Sequence, residues 1–235
     1  MAIKLLTFDL DDTLWPNRLT IERTEENLYQ WFAQHHPEIS QKYSVTDLRK
    51  KRLLLAKNHP HIAHDLTRLR KKSFTELSRE LGYHPHQEQQ FINEAFELYI
   101  RERNKVNLYN DVLPTLEKLK ARYRLGAVSN GNADIYRIGL GHLLDFSWSA
   151  AEAGQQKPHP LVFESLLERE QLTTDEIIHI GDDPVTDIIG AQQSGIQGIW
   201  LNRHHIPWPE NVPPLNSALL EIDQLNQLPA LLEQL

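Results

Sequence analysis

The sequence predicts an α/β protein: a doubly wound parallel sheet interrupted after its first strand by a helical insert. Three observations carry this. From about residue 111 onward, short apolar runs alternate with amphipathic stretches, the pattern of a parallel sheet with helices on both faces. One further apolar run, residues 3–8, stands far from the others and ends abruptly in Asp-Leu-Asp-Asp. Between them, residues 19–103 hold long polar–apolar periodic stretches whose single glycine is Gly82, as several consecutive helices require. The core is therefore expected from residues 1–15 and 104–235, and the insert from 16–103.

Taken in order, residues 3–8 have the length and apolar content of a buried strand, so the acidic residues that follow face solvent or a ligand. Within the insert, Leu66, Leu69, Phe74, Leu77 and Leu81 keep close to a 3.6-residue rhythm and should bury one helix face, which Gly82 and Pro85 then end. Beyond it come an amphipathic helix over 111–120, a strand over 125–128 and a helix over 132–140. A strand over 146–149, a helix over 160–170, a strand over 177–180, a helix over 185–194 and a strand over 198–201 complete the alternation. Residues 207–214 read as a proline-rich loop, and residues 219–235 as a short final helix closing the core.

Composition narrows the function. The chain has no cysteine, which removes a disulfide framework, a thiolate nucleophile and a cysteine-ligated metal, and fits a reducing cytoplasm. The apolar start breaks at Asp9, too early for a signal peptide or a spanning helix, so no membrane role is expected. A formal charge of -7 works against binding a long nucleic acid. The strongest basic run, Arg68, Arg70, Lys71 and Lys72, reads as a solvated helix face. A small phosphorylated metabolite is the expected partner, and the protein a monomer or homodimer.

Four polar clusters each follow a strand or open a turn, where ligands bind in open α/β sheets. In Asp9-Leu10-Asp11-Asp12-Thr13, an ionised aspartate can attack phosphorus while a second protonates the leaving alcohol. The Asp9 carboxylate and the Asp11 carbonyl suit Mg2+, which takes oxygen ligands. Turn and helix-cap roles explain the same residues equally well when they are seen alone. Ser129-Asn130-Gly131 offers a hydroxyl, an amide and a main-chain N–H to phosphate oxygens, or an ordinary turn. Lys157 could offset the charge of a phosphate and of Asp9, although a lone lysine is usually a surface residue. Gly181-Asp182-Asp183-Pro184-Val185-Thr186-Asp187 crowds three carboxylates that repel one another unless a cation screens them. Asp182 is the expected third metal ligand, Asp187 supports the metal site by orienting ligands, and Asp183 is solvated. A proline-containing helix start explains part of this cluster too.

The order of the four clusters resembles the haloacid dehalogenase superfamily of phosphohydrolases. Its DxDx(T/V) motif matches Asp9 to Thr13, its Ser/Thr motif Ser129, its Lys motif Lys157 and its GDxxxxD motif Gly181 to Asp187. The resemblance implies a Rossmann-like core with a helical cap at the insert. It implies Asp9 as nucleophile and metal ligand, Asp11 as general acid/base, Ser129 as phosphate ligand, Lys157 as charge stabiliser and Asp182 as a Mg2+ ligand. The superfamily's dehalogenases lack the second aspartate of the first motif, because a halide leaves without a proton, so Asp11 favours phosphate. A phosphotransferase or mutase using the same aspartyl phosphate, and a non-catalytic binding protein on the same fold, are the alternatives.

A narrower resemblance, to bacterial phosphatases acting on flavin mononucleotide and a ribityl-aminouracil phosphate, rests on Asp-Leu-Asp-Asp-Thr-Leu-Trp and on the segment Asp65 to Arg70. It suggests that Trp15 offers a ring to a flat substrate and that Arg68 or Arg70 reaches it from the cap; Thr13 and Asn130, from the first two clusters, are also expected against the substrate. Packing of Trp15 and pairing of the arginines with Asp65 or Glu76 is the competing expectation. The twelve histidines carry no matched ligand set and are assigned no role.

Overall fold

The structure is a computed structural model that describes residues 2–212 and 219–235. Strand β1 (Leu5–Phe8) is followed by helices α1 (Asn17–His35), α2 (Pro37–Lys42), α3 (Val45–Asn58), α4 (Leu66–Glu80) and α5 (Pro85–Arg103). The chain continues through α6 (Val112–Lys120), β2 (Arg124–Ser129), α7 (Ile135–Ile138), β3 (Phe146–Ser149), α8 (Ala150–Ala153) and α9 (Leu161–Glu170). It ends with β4 (Ile177–Gly181), a wide helical turn Pro184–Ile189, α10 (Gly190–Gln193), β5 (Gln197–Leu201), β6 (Leu220–Ile222) and α11 (Leu228–Leu232). Two compact units result: Met1–Pro16 with Asn107–Leu235, and Asn17–Val106.

The first unit is a six-stranded sheet in the order β3-β2-β1-β4-β5-β6, parallel throughout. A parallel sheet with helices on both faces needs strands that are apolar on both sides, and β1 and β4 are buried at every position. Leu5, Val128, Phe146, Val162, Phe163, Leu166 and Ile177 form one buried cluster of this unit. The chain runs outward from β1 to β3, then returns to the other side of β1 for β4, so the strand order reverses between β1 and β4. Ligands bind outside the carboxyl ends of strands at such a switch point. The ladder there continues one residue past β1, where the Asp9 N–H donates to the Ile180 carbonyl at 2.8 Å.

The second unit is a helical bundle around Leu28, Phe32, Ile39, Phe74, Leu77, Phe91 and Ala95. Full burial of such side chains is worth about 1.5–3 kcal/mol each. Local signals set its helix ends. Ser44 and Asp47 form a capping box at α3, and the Asp65 side chain accepts the Arg68 N–H at 2.8 Å at the start of α4. Gly82 takes the left-handed φ of +75° that terminates α4, and Pro85 opens α5.

Several expectations are corrected. The insert extends to Val106 because the chain stays attached to α5, with the Asn104 amide donating to the Ile100 carbonyl at 2.7 Å and Lys105 pairing with Glu102 at 2.6 Å. Leu66 is 38% exposed, since the first turn of α4 projects past the face buried by Leu69, Phe74 and Leu77. The helix expected over 132–140 is one turn: Asp134 caps it from one side and Gly139, at φ +91°, ends it from the other. The final segment holds a strand as well as a helix, because β6 pairs with the edge of β5. Residues 203–212 contain neither helix nor strand, and residues 213 and 214 of the expected loop lie outside the described residues.

Candidate active site

The acidic turn after β1 is tight. Leu14 N–H donates to the Leu10 carbonyl and Asp12 N–H to the Trp15 carbonyl, both at 2.8 Å. Asp12 sits at φ 62°, a left-handed conformation that aspartate tolerates better than most side chains. This turn leaves Asp9 at the strand end and holds Asp11 through the Trp15 indole, whose Nε1–H donates to Asp11 Oδ1 at 3.0 Å.

Lys157 organises the centre. Its ammonium has three N–H donors, and three acceptors surround it: Asp9 Oδ1 at 2.7 Å, Asp187 Oδ1 at 2.7 Å and the Val128 carbonyl at 2.6 Å. Only 1% of the residue is exposed. Its backbone is held equally firmly, because the Asn130 amide donates to the Lys157 carbonyl at 2.9 Å and the Asn130 carbonyl oxygen accepts the Lys157 N–H at 2.7 Å. Asp9 Oδ2 has no hydrogen-bond partner among the described residues, which leaves it open to an electrophile.

Asp9, Asp182 and Asp187 each bring a carboxylate oxygen within 4.8 Å of the others. Asp187 reaches this position only because residue 181 is glycine: a Cβ there would lie 2.2 Å from the Asp187 carboxyl carbon. Asp187 Oδ2 accepts the Asp183 N–H at 3.0 Å, and Asp182 Oδ1 accepts the Thr13 hydroxyl at 2.8 Å. Burial pushes the Asp9 carboxyl well above its usual range; Lys157 opposes this, while the charges of Asp187 and Asp182 add to it. Burial, and then Asp187, push Asp182 up to about 7. Burial works in the same direction on Asp187, but Lys157 and His179 overcome it and hold that carboxyl well below the ordinary range. Burial likewise opposes the Lys157 charge, and Asp187 and Asp9 more than restore it. Three carboxylates, Asp9 and Asp187 buried and Asp182 half-buried, against one ammonium leave negative charge for a cation to offset. An all-oxygen donor set suits Mg2+, so the residues present fit that ion.

The expected site residues separate into two groups. Asp9, Lys157, Asp182 and Asp187 meet directly, and Asp11 and Ser129 stand at the same strand ends, with Ser129 Oγ accepting the Gly131 N–H at 2.9 Å. The Asp11 carboxylate is outside the acidic cluster, and its expected contribution is a carbonyl. Asp183, expected to be merely solvated, is exposed and caps the turn that follows it, with Oδ1 accepting from Val185 and Thr186 at 2.9 and 2.7 Å.

Four expectations of substrate contact are corrected. Trp15 is 0% exposed, so its ring has no face to offer and its indole N–H serves Asp11. The Asn130 side chain is taken up by the Lys157 backbone and the Thr13 hydroxyl by Asp182. Arg70 is buried, pairs with Glu25 at 2.5 Å, a partner different from the two expected, and lies 4.0 Å over the Tyr99 ring. Arg68 is exposed and its side chain has no partner among the described residues.

Two groups near the centre were not expected. His179, wholly buried in β4, has Nδ1 3.0 Å from Thr7 Oγ1 and Nε2 3.4 Å from Asp187 Oδ1. Arg203 forks onto Asp111 at 3.0 and 3.0 Å and donates to the Thr13 carbonyl at 3.3 Å, tying the loop after β5 to the acidic turn after β1. A histidine between isoleucines in a short apolar strand was the available signal for the first.

Fold and site together define a Rossmann-like α/β enzyme with its acidic centre at the switch point. The chain belongs to the haloacid dehalogenase-like hydrolases, whose family model matches residues 3–195. It is 32% identical to the 5-amino-6-(5-phospho-D-ribitylamino)uracil phosphatase YigB of Escherichia coli over 98% of this chain and 96% of that protein. It is 27% identical to the glyceraldehyde 3-phosphate phosphatase of Methanopyrus kandleri over 86% of this chain and 84% of that one. Among solved structures, a 2-haloacid dehalogenase from Pseudomonas syringae superposes with a TM-score of 0.90 at 36% identity, covering 99% of both chains. No helix among the described residues is long and apolar enough to cross a membrane.

Proposed function

We propose that the chain is a Mg2+-dependent phosphatase that hydrolyses a phosphomonoester of a small metabolite through an acyl phosphate on Asp9. The observation that carries this reading is the Lys157 ammonium, which holds Asp9 Oδ1 at 2.7 Å and leaves Oδ2 as the attacking atom. Asp9, Asp182 and Asp187 with the Asp11 carbonyl would hold Mg2+, which would supply positive charge against the phosphate oxygens and the crowded carboxylates.

Asp9 Oδ2 forms a bond to phosphorus while the bond to the leaving oxygen breaks, and Asp11, kept in place by Trp15, gives that oxygen its proton. Asp11 then takes a proton from water as the water oxygen attacks phosphorus, which frees inorganic phosphate and regenerates the Asp9 carboxylate. Ser129 donates to a phosphate oxygen, and Asn130 keeps the Lys157 backbone where its ammonium meets Asp9.

Two phosphatase relatives and one dehalogenase neighbour leave two chemistries to compare. Asp11 favours phosphate, because a halide leaving group needs no acid. Within phosphatases, the similarity to the ribityl-aminouracil phosphate enzyme supports that compound and flavin mononucleotide as the first substrates to test. The test is release of inorganic phosphate from flavin mononucleotide, ribityl-aminouracil phosphate, sugar phosphates, nucleotides and p-nitrophenyl phosphate with Mg2+, beside chloride release from 2-chloropropionate. Stoichiometric phosphate that vanishes in Asp9→Asn and without metal is the expected result. Chloride release without phosphate release would assign the dehalogenase chemistry, and phosphate passed to a sugar hydroxyl would assign a mutase.

A further inference from the structure

Residue 179 occupies the middle of a strand buried at every position, between Ile178 and Ile180. A polar ring in such a place carries a desolvation cost unless its nitrogens are satisfied, and an isoleucine or phenylalanine would incur no such cost. Both nitrogens of His179 do have partners, and the partners differ in kind. Nδ1 faces the Thr7 hydroxyl at 3.0 Å, across the β1–β4 pairing in which Thr7 and His179 are directly opposite. Nε2 faces Asp187 Oδ1 at 3.4 Å. An ionised carboxylate only accepts, whereas a hydroxyl donates or accepts. The proton therefore belongs on Nε2, and Nδ1, at 3.0 Å, accepts from the Thr7 hydroxyl in preference to the Ile178 carbonyl, the hydroxyl's other acceptor at 3.4 Å. The ring is further fixed by Phe163, edge to face with centroids 5.0 Å apart.

We propose that His179 is a positioning residue for the hydrolysis: clamped by Thr7 and Phe163, it holds the Asp187 carboxylate, which in turn seats the Lys157 ammonium on Asp9. The inference rests on the phosphatase reading. Asp187 has three hydrogen-bond contacts: Lys157 at 2.7 Å and His179 at 3.4 Å on Oδ1, and the Asp183 N–H at 3.0 Å on Oδ2. Without the imidazole, Oδ1 keeps only the Lys157 donor and Oδ2 the Asp183 N–H, so no contact from β4 sets the angle at which Oδ1 meets Lys157. Lys157 then loses the fixed point that keeps it between Asp187 and Asp9. At 3.4 Å the His179 contact is long, so its contribution is direction more than strength.

Substitutions separate the two ends of the ring. His179→Gln extends an amide to the Nε2 position and keeps a donor toward Asp187; His179→Asn keeps a partner for Thr7 and loses that donor; His179→Phe keeps the ring and loses both. With p-nitrophenyl phosphate and Mg2+, the Asn and Phe variants should lose kcat by about tenfold, the worth of one hydrogen bond, with KM unchanged, while Gln retains most of it. Equal kcat in folded Asn, Phe and wild-type proteins, or a Gln variant as slow as Asn, would overturn the proposal. A lower melting temperature with unchanged kcat would assign a purely structural role and overturn it too. Long-range 1H–15N correlation on the full-length protein reads the clamp without any turnover, with the signal identified by its loss in His179→Gln. Protonated Nε2 and bare Nδ1 are expected, and the opposite tautomer refutes the clamp. A wild-type protein that releases no phosphate would defeat the functional reading alone, and the tautomer would still decide this one.

Discussion

Replacing Lys157 by methionine keeps the unbranched apolar stem, one heavy atom shorter, and deletes its charge. The ammonium lies 2.7 Å from one oxygen of Asp9 and 2.7 Å from one of Asp187. At an effective dielectric constant of about 20, each contact is worth about 6 kcal/mol of gross attraction, or about 12 for the pair. Removing three ions from water costs several kcal/mol for each, which offsets most of that sum. What the variant loses is set by the carboxylates left behind: two buried acids without their cation, at about 3–5 kcal/mol, the range for breaking a buried pair. For a chain of this size the melting temperature should drop by roughly 6–20 °C. Asp9 then keeps burial and its acidic neighbours raising its proton affinity and loses the ammonium that opposes them, which favours the protonated form over the carboxylate that attacks phosphorus in the proposed reaction. The corresponding loss in kcat is about 10²–10⁴-fold. Circular dichroism melting and hydrolysis of p-nitrophenyl phosphate with Mg2+ measure both. A variant that melts with the wild type and turns over within tenfold of it would refute the reasoning.

The helical unit gives a pH-dependent counterpart. Glu25 pairs with Arg52 at 2.9 Å and Arg70 at 2.5 Å; burial works to raise its proton affinity, but Arg70 and Arg52 win and hold it below the ordinary 4.5. The ion pairs therefore contribute fully above about pH 4.5 and are lost as pH falls through the depressed folded-state value. Glu25→Gln should cost about 3–5 kcal/mol at neutral pH and flatten the acid limb of the stability curve, read by urea titration from pH 3 to 7. At the catalytic turn, Trp15→Phe keeps the apolar ring and loses the bond to Asp11. Its kcat should fall by about tenfold with substrate preference unchanged. A shift in the ratio of flavin mononucleotide to sugar-phosphate turnover would restore the ring-stacking role that burial removes.

The sheet was legible because its strands are apolar runs punctuated by acids, and the acidic residues were legible because they stand where those runs stop. Partnerships were not. The Asn130 amide meets a backbone 27 residues away, the Thr13 hydroxyl a carboxylate 169 residues away, and Arg70 a glutamate 45 residues away. A local pattern shows that a side chain can bond, while the fold decides which bond it makes. Each of the three was expected at the substrate because it could bind phosphate or a ring, and each is occupied by another part of the chain. β6 was missed for a related reason: three residues at a sheet edge carry too little pattern, and only the adjacent strand makes them a strand. His179 was passed over as one histidine among twelve, although an imidazole in a run of isoleucines is a cost that needs a reason.

The three contacts of Lys157 have a consequence for recognition. An ammonium carries three protons, and all three are committed to groups of the chain itself. There is no fourth to hand to an arriving phosphate. The lysine thus acts on its ligand as a fixed charge felt through space, indifferent to the shape of whatever carries the phosphate. In the proposed reaction, directional contacts to the phosphate oxygens are left to Ser129 and to main-chain amides. Discrimination between one phosphorylated compound and another belongs to residues that meet the rest of the molecule.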